Sequence, residues 1–282
     1  MLDKPPGMTS AGAVARVKRL LPKKTKIGHT GTLDPLASGL LVLLIGRSTR
    51  LSRYITGLQK TYSATARLGA VSDTLDAEGE ITSLDISLPS ENALREALPV
   101  FTGDILQTPP MVSALKREGK RLYDLHRKGI TVEREPRPVT VYHFALITFD
   151  PAEKSASFEI SCSSGTYVRT LIADLAERAG SGAYLTALRR TTVGHLTVKD
   201  APSPEILTSD SLHNHIIQPA EVVGHLPGMA ISGTNRDSVC HGGRIESRGV
   251  EGSYRVMYGD ELLAVYRDAG DEGRAEVVLC AG

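Results

Sequence analysis

Hydrophobic and polar positions recur along the chain with periods that predict its elements. Thr9 or Ser10 caps a helix running to Leu21, with Val14, Val17, Leu20 and Leu21 on one face and Arg16, Lys18 and Arg19 off that stripe. Pro22 ends it. The next stretch, KIGHTGTLDPLASG, is rich in Gly, Thr, Ser and Pro and reads as an irregular loop. GLLVLLIG after it reads as a strand buried on both faces. In TYSATARLG, Tyr62, Ala64, Ala66 and Leu68 alternate with Thr61, Ser63, Thr65 and Arg67, the period of a half-buried strand. Short helices are expected over Ser90 to Leu98 and over Arg121 to Lys128, the second ended by Gly129. Val139 to Phe149 and Ser155 to Cys162 read as neighbouring strands. A Ser163-Ser164-Gly165 turn leads into a helix carrying Val168, Leu171, Ile172 and Leu175. Between Ala201 and Gly228, Pro202, Pro204, Pro219 and Pro227 interrupt the pattern. Beyond that break, YRVMYG, ELLAVYR and AEVVLC predict a small β-rich module of roughly sixty residues, near the lower limit for an independent core. Strands outnumber helices but helices are interspersed, which favours α+β over all-β.

Of 282 residues, 41% are hydrophobic and 23% charged, enough to build a sizeable core and too apolar for wholesale disorder. The longest aliphatic run, Leu40 to Ile45, is far too short to span a bilayer, and the N-terminus lacks a secretory pattern. Cys162, Cys240 and Cys280 are widely spaced and odd in number. A disulfide framework and a zinc knuckle are therefore not expected, and a reducing cytoplasm is the default. The net charge of +1 hides an asymmetry: Met1 to Lys60 holds 11 Lys+Arg and 2 Asp+Glu. Met111 to Pro138 holds 8 basic and 4 acidic residues. Two separated basic segments point to a phosphate backbone as partner, with steep salt dependence. There is no tryptophan, so any stacking must rest on a few Tyr, Phe or His side chains.

Asp34 is one of only two acids in the first 60 residues, the other being Asp3. It lies in a loop among positive charges, which favour the carboxylate and predict a depressed pKa. Pro35 biases it towards extended backbone. Such a group suits a nucleophile or base in a site that also binds an anion. From the residue alone, an Asx-type turn accepting backbone N–H bonds is the better account. His29 precedes it and can serve as a flat plate against a base. Gly28 and Gly31 permit close backbone approach to a ligand. GHTG is neither a dinucleotide fingerprint nor a P-loop. Tyr62 falls on the apolar face of its strand, and Tyr167 follows a turn at a helix start. Arg169, at that helix start, is unfavourable for the helix dipole and calls for a carboxylate partner.

Taken together, these segments resemble the bacterial TruB family of tRNA pseudouridine synthases. The matching runs are DKPPGMTS (Asp3 to Ser10), KIGHTGTLDPLASGLL (Lys26 to Leu41), KTYSATARLG (Lys60 to Gly69) and SDTLDAEG (Ser72 to Gly79). They continue with QTPPMVSALKREGKRLYDLHRKG (Gln107 to Gly129), REPRPVTVY (Arg134 to Tyr142), CSSGTYVRTLIADL (Cys162 to Leu175) and GAYLTALRRTTVG (Gly182 to Gly194). The GHTGTLDPLASG loop is highly specific. The family usually carries a few more residues before the DKP motif.

The resemblance implies a mixed, mainly antiparallel central sheet with flanking helices, the pseudouridine synthase fold, over residues 1–220. It implies an RNA-binding insertion at about 104–142 and a PUA-like C-terminal module over 221–282. In that module 6 basic residues face 10 acidic ones, so a weak or absent RNA contact is expected there. The resemblance makes Asp34 the essential aspartate and Arg169 its ion-pair partner. Tyr62 stacks on the target base, Tyr167 lines the pocket and Leu188 forms an apolar wall. His29 fills the stack left by the extruded uridine, and Lys4 supports the loop. The implied reaction isomerises the T-loop uridine of tRNA (position 55). It uses no cofactor and no metal, and is carried out by a cytoplasmic monomer with no obligate protein partner. Two alternatives stay open: an RNA-guided pseudouridylase of the archaeal and eukaryotic kind, and a non-catalytic RNA-binding protein or tRNA chaperone.

Overall fold

The computed structural model describes residues 1–112, 116–117, 120–121, 130 and 132–280. Its centre is an eight-stranded sheet. From one edge to the other the strands are Leu2–Lys4, Ser38–Leu41, Ala183–Val193, Lys60–Leu68, Ser155–Cys162, Arg137–Asp150 and Gly103–Gln107, with Leu196–Thr197 paired to Ala183–Val193. Every pairing is antiparallel except that of Ala183–Val193 with Ser38–Leu41. The mixed, mainly antiparallel α+β architecture expected from the sequence is the one observed. Alternation along Lys60–Leu68 puts Tyr62, Ala64, Ala66 and Leu68 inside.

The parallel pairing brings the Gly39 backbone against that of Arg190, which stands opposite it in register. Gly39 has φ +98°, and a Cβ there would collide with the Arg190 backbone. Only glycine fits, for conformational and steric reasons together.

One face of the sheet is covered by the helices Ser10–Arg19, Glu91–Ala97 and Val168–Arg178. Ser10–Arg19 begins where expected: the Thr9 side chain accepts a hydrogen bond from Gly12 N at 2.9 Å. Ala13 and Val17 bury its inner stripe. Ser90 likewise caps Glu91–Ala97 by accepting from Ala93 N. Val168–Arg178 contributes Val168, Leu171, Ile172 and Leu175 to the core.

The run GLLVLLIG is not one strand. Ser38–Leu41 joins the main sheet, whereas Leu43–Ile45 pairs with Ile27–His29 outside it. Both halves are apolar because Leu40, Val42 and Leu44 face a second core. A hydrophobic run reports burial and not which sheet is joined. The helix expected over Arg121 to Lys128 lies outside the described residues beyond Arg121, which belongs to a two-residue strand, Lys120–Arg121.

Towards the C-terminus a five-stranded sheet runs in the order Gly228–Ala230, Ser253–Tyr258, Glu261–Ala269, Glu272–Val278, Ile245–Glu246. Besides a small cluster of its own around Tyr254, Val256 and Tyr266, it shares a core with the larger part: Leu262, Val265 and Val277 pack with Leu40, Leu51, Ile55 and Val193. Cys240 and Cys280 are bonded to each other, with Cα atoms 5.5 Å apart, whereas no disulfide was expected. Forty residues separate them in sequence, and the fold brings the end of the Arg236–Cys240 helix beside the last strand. Cys162 is free and buried.

Part of the N-terminal positive charge holds this module in position. Arg47 donates to the carbonyls of Leu279 and Cys280, Arg50 donates to Val278 O, and Arg53 pairs with Glu276 at 3.5 Å. Arg16 donates to the carbonyls of Pro204 and Glu205. Among the described residues, no helix is long and apolar enough to cross a membrane.

Candidate active site

Asp34 sits in the loop between Ile27–His29 and Ser38–Leu41, and both of its neighbours are pinned. Ser10 Oγ donates to Leu33 O at 3.0 Å and accepts from Leu33 N at 2.8 Å. Lys4, fully buried, donates from Nζ to Pro35 O, Met8 O and Pro5 O at 3.3, 2.6 and 2.9 Å. Gly7 N adds a bond to Pro35 O at 2.8 Å. The first strand and first helix thus fix the backbone on either side of the carboxylate. Burial lowers the Lys4 pKa to about 8, against the pull of Asp34.

Arg169 is the second residue of the Val168–Arg178 helix, and its side chain is only 4% exposed. Its guanidinium spans two acids. Nη2 lies 3.1 Å from Asp34 Oδ2, and Nη1 lies 3.0 Å from Asp76 Oδ2. Nη1 also donates to Thr74 O and Nη2 to Val112 O. Asp76 is buried and further accepts from Thr74 Oγ1 at 2.7 Å and from Glu78 N at 3.1 Å. An arginine in a helix's first turn is electrostatically disfavoured, and the two carboxylates offset that cost. Tyr167, just before the helix, is held through its backbone by the buried Gln107. Tyr167 N donates to Gln107 Oε1 at 2.7 Å, and Gln107 Nε2 donates to Tyr167 O at 3.0 Å.

Asp34, Tyr62, Tyr167, Arg169 and Leu188 line one cavity of about 250 Å³. Tyr62 and Leu188 come from adjacent strands and are each 8% exposed. Lys4 and His29 do not line it. Lys4 acts from behind the loop. His29 is half-buried in the short strand pair with Leu43–Ile45, and its Nδ1 is buried without a hydrogen-bond partner among the described residues. Burial, with Arg190 adding to the effect, lowers the His29 pKa.

The carboxylate of Asp34 is 41% exposed through the cavity mouth and surrounded by protein elsewhere. Burial raises its pKa above the usual value; Arg169 and Lys4 oppose the rise, and Asp76 adds to it. The depression expected from nearby cations is therefore reversed. The sequence places cations near Asp34 but does not show that Asp76 shares Arg169 with it, or the walls that remove water. Burial likewise raises the Tyr62 hydroxyl pKa, with Arg190 opposing it.

Sequence reasoning passed over Asp76, Gln107, Ser10, Lys60 and Arg190. The signal available for Asp76 was Arg169 itself, an arginine in need of carboxylates. Chemically, the cavity presents one accessible carboxylate braced by a buried guanidinium, with an aromatic and an aliphatic wall. That arrangement suits nucleophilic or base chemistry on a flat, uncharged ring.

Comparison with known proteins agrees with this geometry. The profile described as "TruB family pseudouridylate synthase (N terminal domain)" matches residues 18–168. A tRNA pseudouridine synthase B of Burkholderia lata is 46% identical over 279 residues, covering 95% of this chain and 86% of that protein. One from Azoarcus sp. is 40% identical, covering 94% of this chain and 89% of its own. Among solved structures, a chain of the crystal structure of a Cbf5-Nop10-Gar1 complex superposes with a TM-score of 0.72. It has 25% identity, over 99% of this chain and 84% of that one. The likeness to the relatives runs through both flanks of the cavity, from the Asp34 loop to the Arg169 helix, and the chain belongs to the TruB family of pseudouridylate synthases.

Proposed function

We propose that this protein converts uridine to pseudouridine in tRNA, at the T-loop uridine. The observation that carries the reading is the carboxylate of Asp34, open to a cavity on one side and braced by the buried Arg169 on the other. In the reaction the C1′–N1 bond breaks and a C1′–C5 bond forms. The C5 proton is lost and N1 gains one, so composition is unchanged and no electrons are exchanged.

A stacked base must first be everted, at a cost of about a few kcal/mol. Stacking on Tyr62 offsets part of that, at ~1–3 kcal/mol per base. Leu188 and the ring of Tyr167 close the pocket and keep water from the sugar while the base is detached. Asp34 starts the reaction, by attack on the sugar or base or by removing a sugar proton. Arg169 keeps its oxygens aimed, and Asp76 in turn holds Arg169. Lys4 secures the loop through Pro35 O. His29 fills the gap left by the everted base, a role that suits a half-buried ring beside the loop.

On this reading residues 1–220 are the catalytic domain, about 104–142 the RNA-closing insertion and 221–282 a PUA-like module. RNA is bound mainly through basic residues without an ion-pair partner among the described residues, such as Lys18, Arg19, Lys23, Lys24 and Lys26. The enzyme acts in the cytoplasm, as a monomer, without an obligate protein partner. The superposition on a chain of the Cbf5-Nop10-Gar1 complex keeps a partner-dependent mode as the second reading. The purified protein and an unmodified tRNA transcript separate the two, read by site-resolved detection of pseudouridine. Product in the T loop without added protein or guide supports the proposal. Product elsewhere redirects the specificity, and absence of product without a partner rejects the self-sufficient enzyme.

A further inference from the structure

The cavity has a second charged end that the proposed chemistry does not use. Lys60 and Arg190, 6% and 2% exposed, both line it. They sit on adjacent strands, with Arg190 opposite Tyr62 in register. Lys60 Nζ donates to Thr56 O at 2.8 Å and Leu58 O at 2.5 Å. Arg190 donates from Nε to Leu40 O at 2.8 Å and from Nη2 to Gly31 O at 3.0 Å, and its guanidinium also bonds the Tyr62 hydroxyl.

These are neutral partners. Among the described residues, neither cation has a carboxylate within ion-pair distance, whereas Arg169 in the same cavity has two. Apart from Asp34, which is paired with Arg169, the described side chains lining the cavity are cationic or neutral. Arg190 acts repulsively on Lys60, on Lys4 and on His29, and the thiol of Cys162 beside Lys60 is held protonated by burial, its pKa pushed to about 11. Buried charges are normally paired, because an unpaired one keeps its full desolvation cost. Two of them side by side, opening on a cavity, mark a place where an anion arrives with the ligand. Ser164 and Thr166 line the same cavity. Hydroxyl donors are thus at hand as well.

We propose that Lys60 and Arg190 form a subsite for one backbone phosphate of the RNA, adjacent to the everted nucleotide. This inference rests on the proposed function. With the base against Tyr62 and Leu188 and the sugar at Asp34, a flanking phosphate extends to the cationic end. A phosphate accepts charge-assisted bonds from both side chains without disturbing the carbonyls they already hold. The contact positions the nucleotide and carries no sequence information.

The test is a cycle between protein and RNA variants. Hairpins carry the target uridine with either all native linkages or one uncharged methylphosphonate, placed 5′ or 3′ of it. Affinity is measured by titration, independently of turnover. Lys60→Met is expected to weaken the native hairpin about tenfold. It should weaken one of the two methylphosphonate hairpins by less than about threefold. Its plot of log affinity against log salt should be shallower by about 0.7, one phosphate contact on a single strand. Lys60→Arg should restore the native value. Arg190→Lys, which keeps the charge but not the geometry, provides a second arm in case Lys60→Met fails to fold, and should show the same coupling. Equal losses on all three hairpins, or no loss on any, overturn the subsite. Pseudouridine formation by the unaltered protein on the native hairpin is scored separately. Its absence rejects the proposed function, whereas turnover without coupling rejects only the phosphate contact.

Discussion

Asp76→Asn probes the brace behind the carboxylate proposed to start the reaction. Asp76 lies 3.0 Å from Arg169 Nη1, at a site where both side chains are 4% exposed or less. Removing the charge weakens a charge-assisted, buried bond, for a loss of about 1.5–3 kcal/mol of folding stability. Asp76→Ala, which leaves the guanidinium with one acid fewer and no acceptor in its place, should cost ~3–5 kcal/mol. Either figure lies inside the 5–15 kcal/mol margin typical of a domain, so the Asn variant folds. Its effect on rate is positional. Arg169 held only by Asp34 can tilt, and a misplacement of that kind is worth roughly a hundredfold in kcat. The pH dependence supplies a sign. Burial raises the Asp34 pKa and Asp76 adds to the rise, so activity that requires the Asp34 carboxylate is lost, as pH falls, at a higher pH than an isolated aspartate would allow. In Asp76→Asn that contribution is gone, and the acidic limb should move to lower pH. Single-turnover pseudouridine formation across a pH series measures both quantities, with RNA affinity determined in parallel. A limb that stays put or moves upward, or a rate within about threefold of the unaltered protein, would refute the bracing argument.

Asp34→Asn should abolish turnover while leaving RNA affinity within about threefold; retained turnover in a site-resolved assay rejects Asp34 as the reacting group. Gly39→Ala forces a side chain into the Arg190 backbone at φ +98° and should cost at least about 3 kcal/mol, read as a lowered thermal midpoint or loss of folded protein. An unchanged midpoint would mean the two strands separate more easily than their register implies. Lys4 and Lys60 have native pKa values of about 8 against 10.5 for the ordinary lysine. Between those values the unfolded chain binds more protons than the native one, so stability in urea should rise from pH 8 towards pH 10 and rise less in Lys60→Met. A flat or falling profile contradicts their burial as charged groups.

What could be read in the sequence was whatever depends on near neighbours. The alternation in Lys60–Leu68, the Thr9 cap, the short helix after Ser90 and the stripe of Val168, Leu171, Ile172 and Leu175 are local patterns, and each matches the element formed. The need of Arg169 for a carboxylate followed from its place at a helix start. What could not be read depends on distant segments. The second acid on Arg169 comes from 93 residues away, and the disulfide closes a separation of 40. GLLVLLIG divides between two sheets because two cores meet at that run, and both demand apolar residues. Charge counts misled in part for the same reason: Arg16, Arg47, Arg50 and Arg53 bond carbonyls or acids of later segments and contribute less to an RNA-facing surface than their number suggests.

The direction of the Asp34 pKa follows from how the two acids on Arg169 are treated by solvent. Asp76, 3% exposed, has its oxygens engaged by Arg169, by Thr74 and by the backbone of Glu78, and it cannot reach a ligand. Asp34, 41% exposed, meets the same guanidinium but faces the cavity. One carboxylate is therefore fully engaged and the other free to meet a ligand, although both pair with one side chain. Were Asp34 held by cations alone, it would be a weak base and a poor nucleophile, its charge too well stabilised to move. Partial removal from water and the neighbouring negative charge raise its free energy as a carboxylate, while Arg169 keeps it aimed. Binding a neutral pyrimidine over it removes more water and strengthens both effects. The cations Lys60 and Arg190 line the same cavity, with Arg190 opposite Tyr62 in register, and the phosphate proposed for them would occupy those charges while Asp34 stays with Arg169.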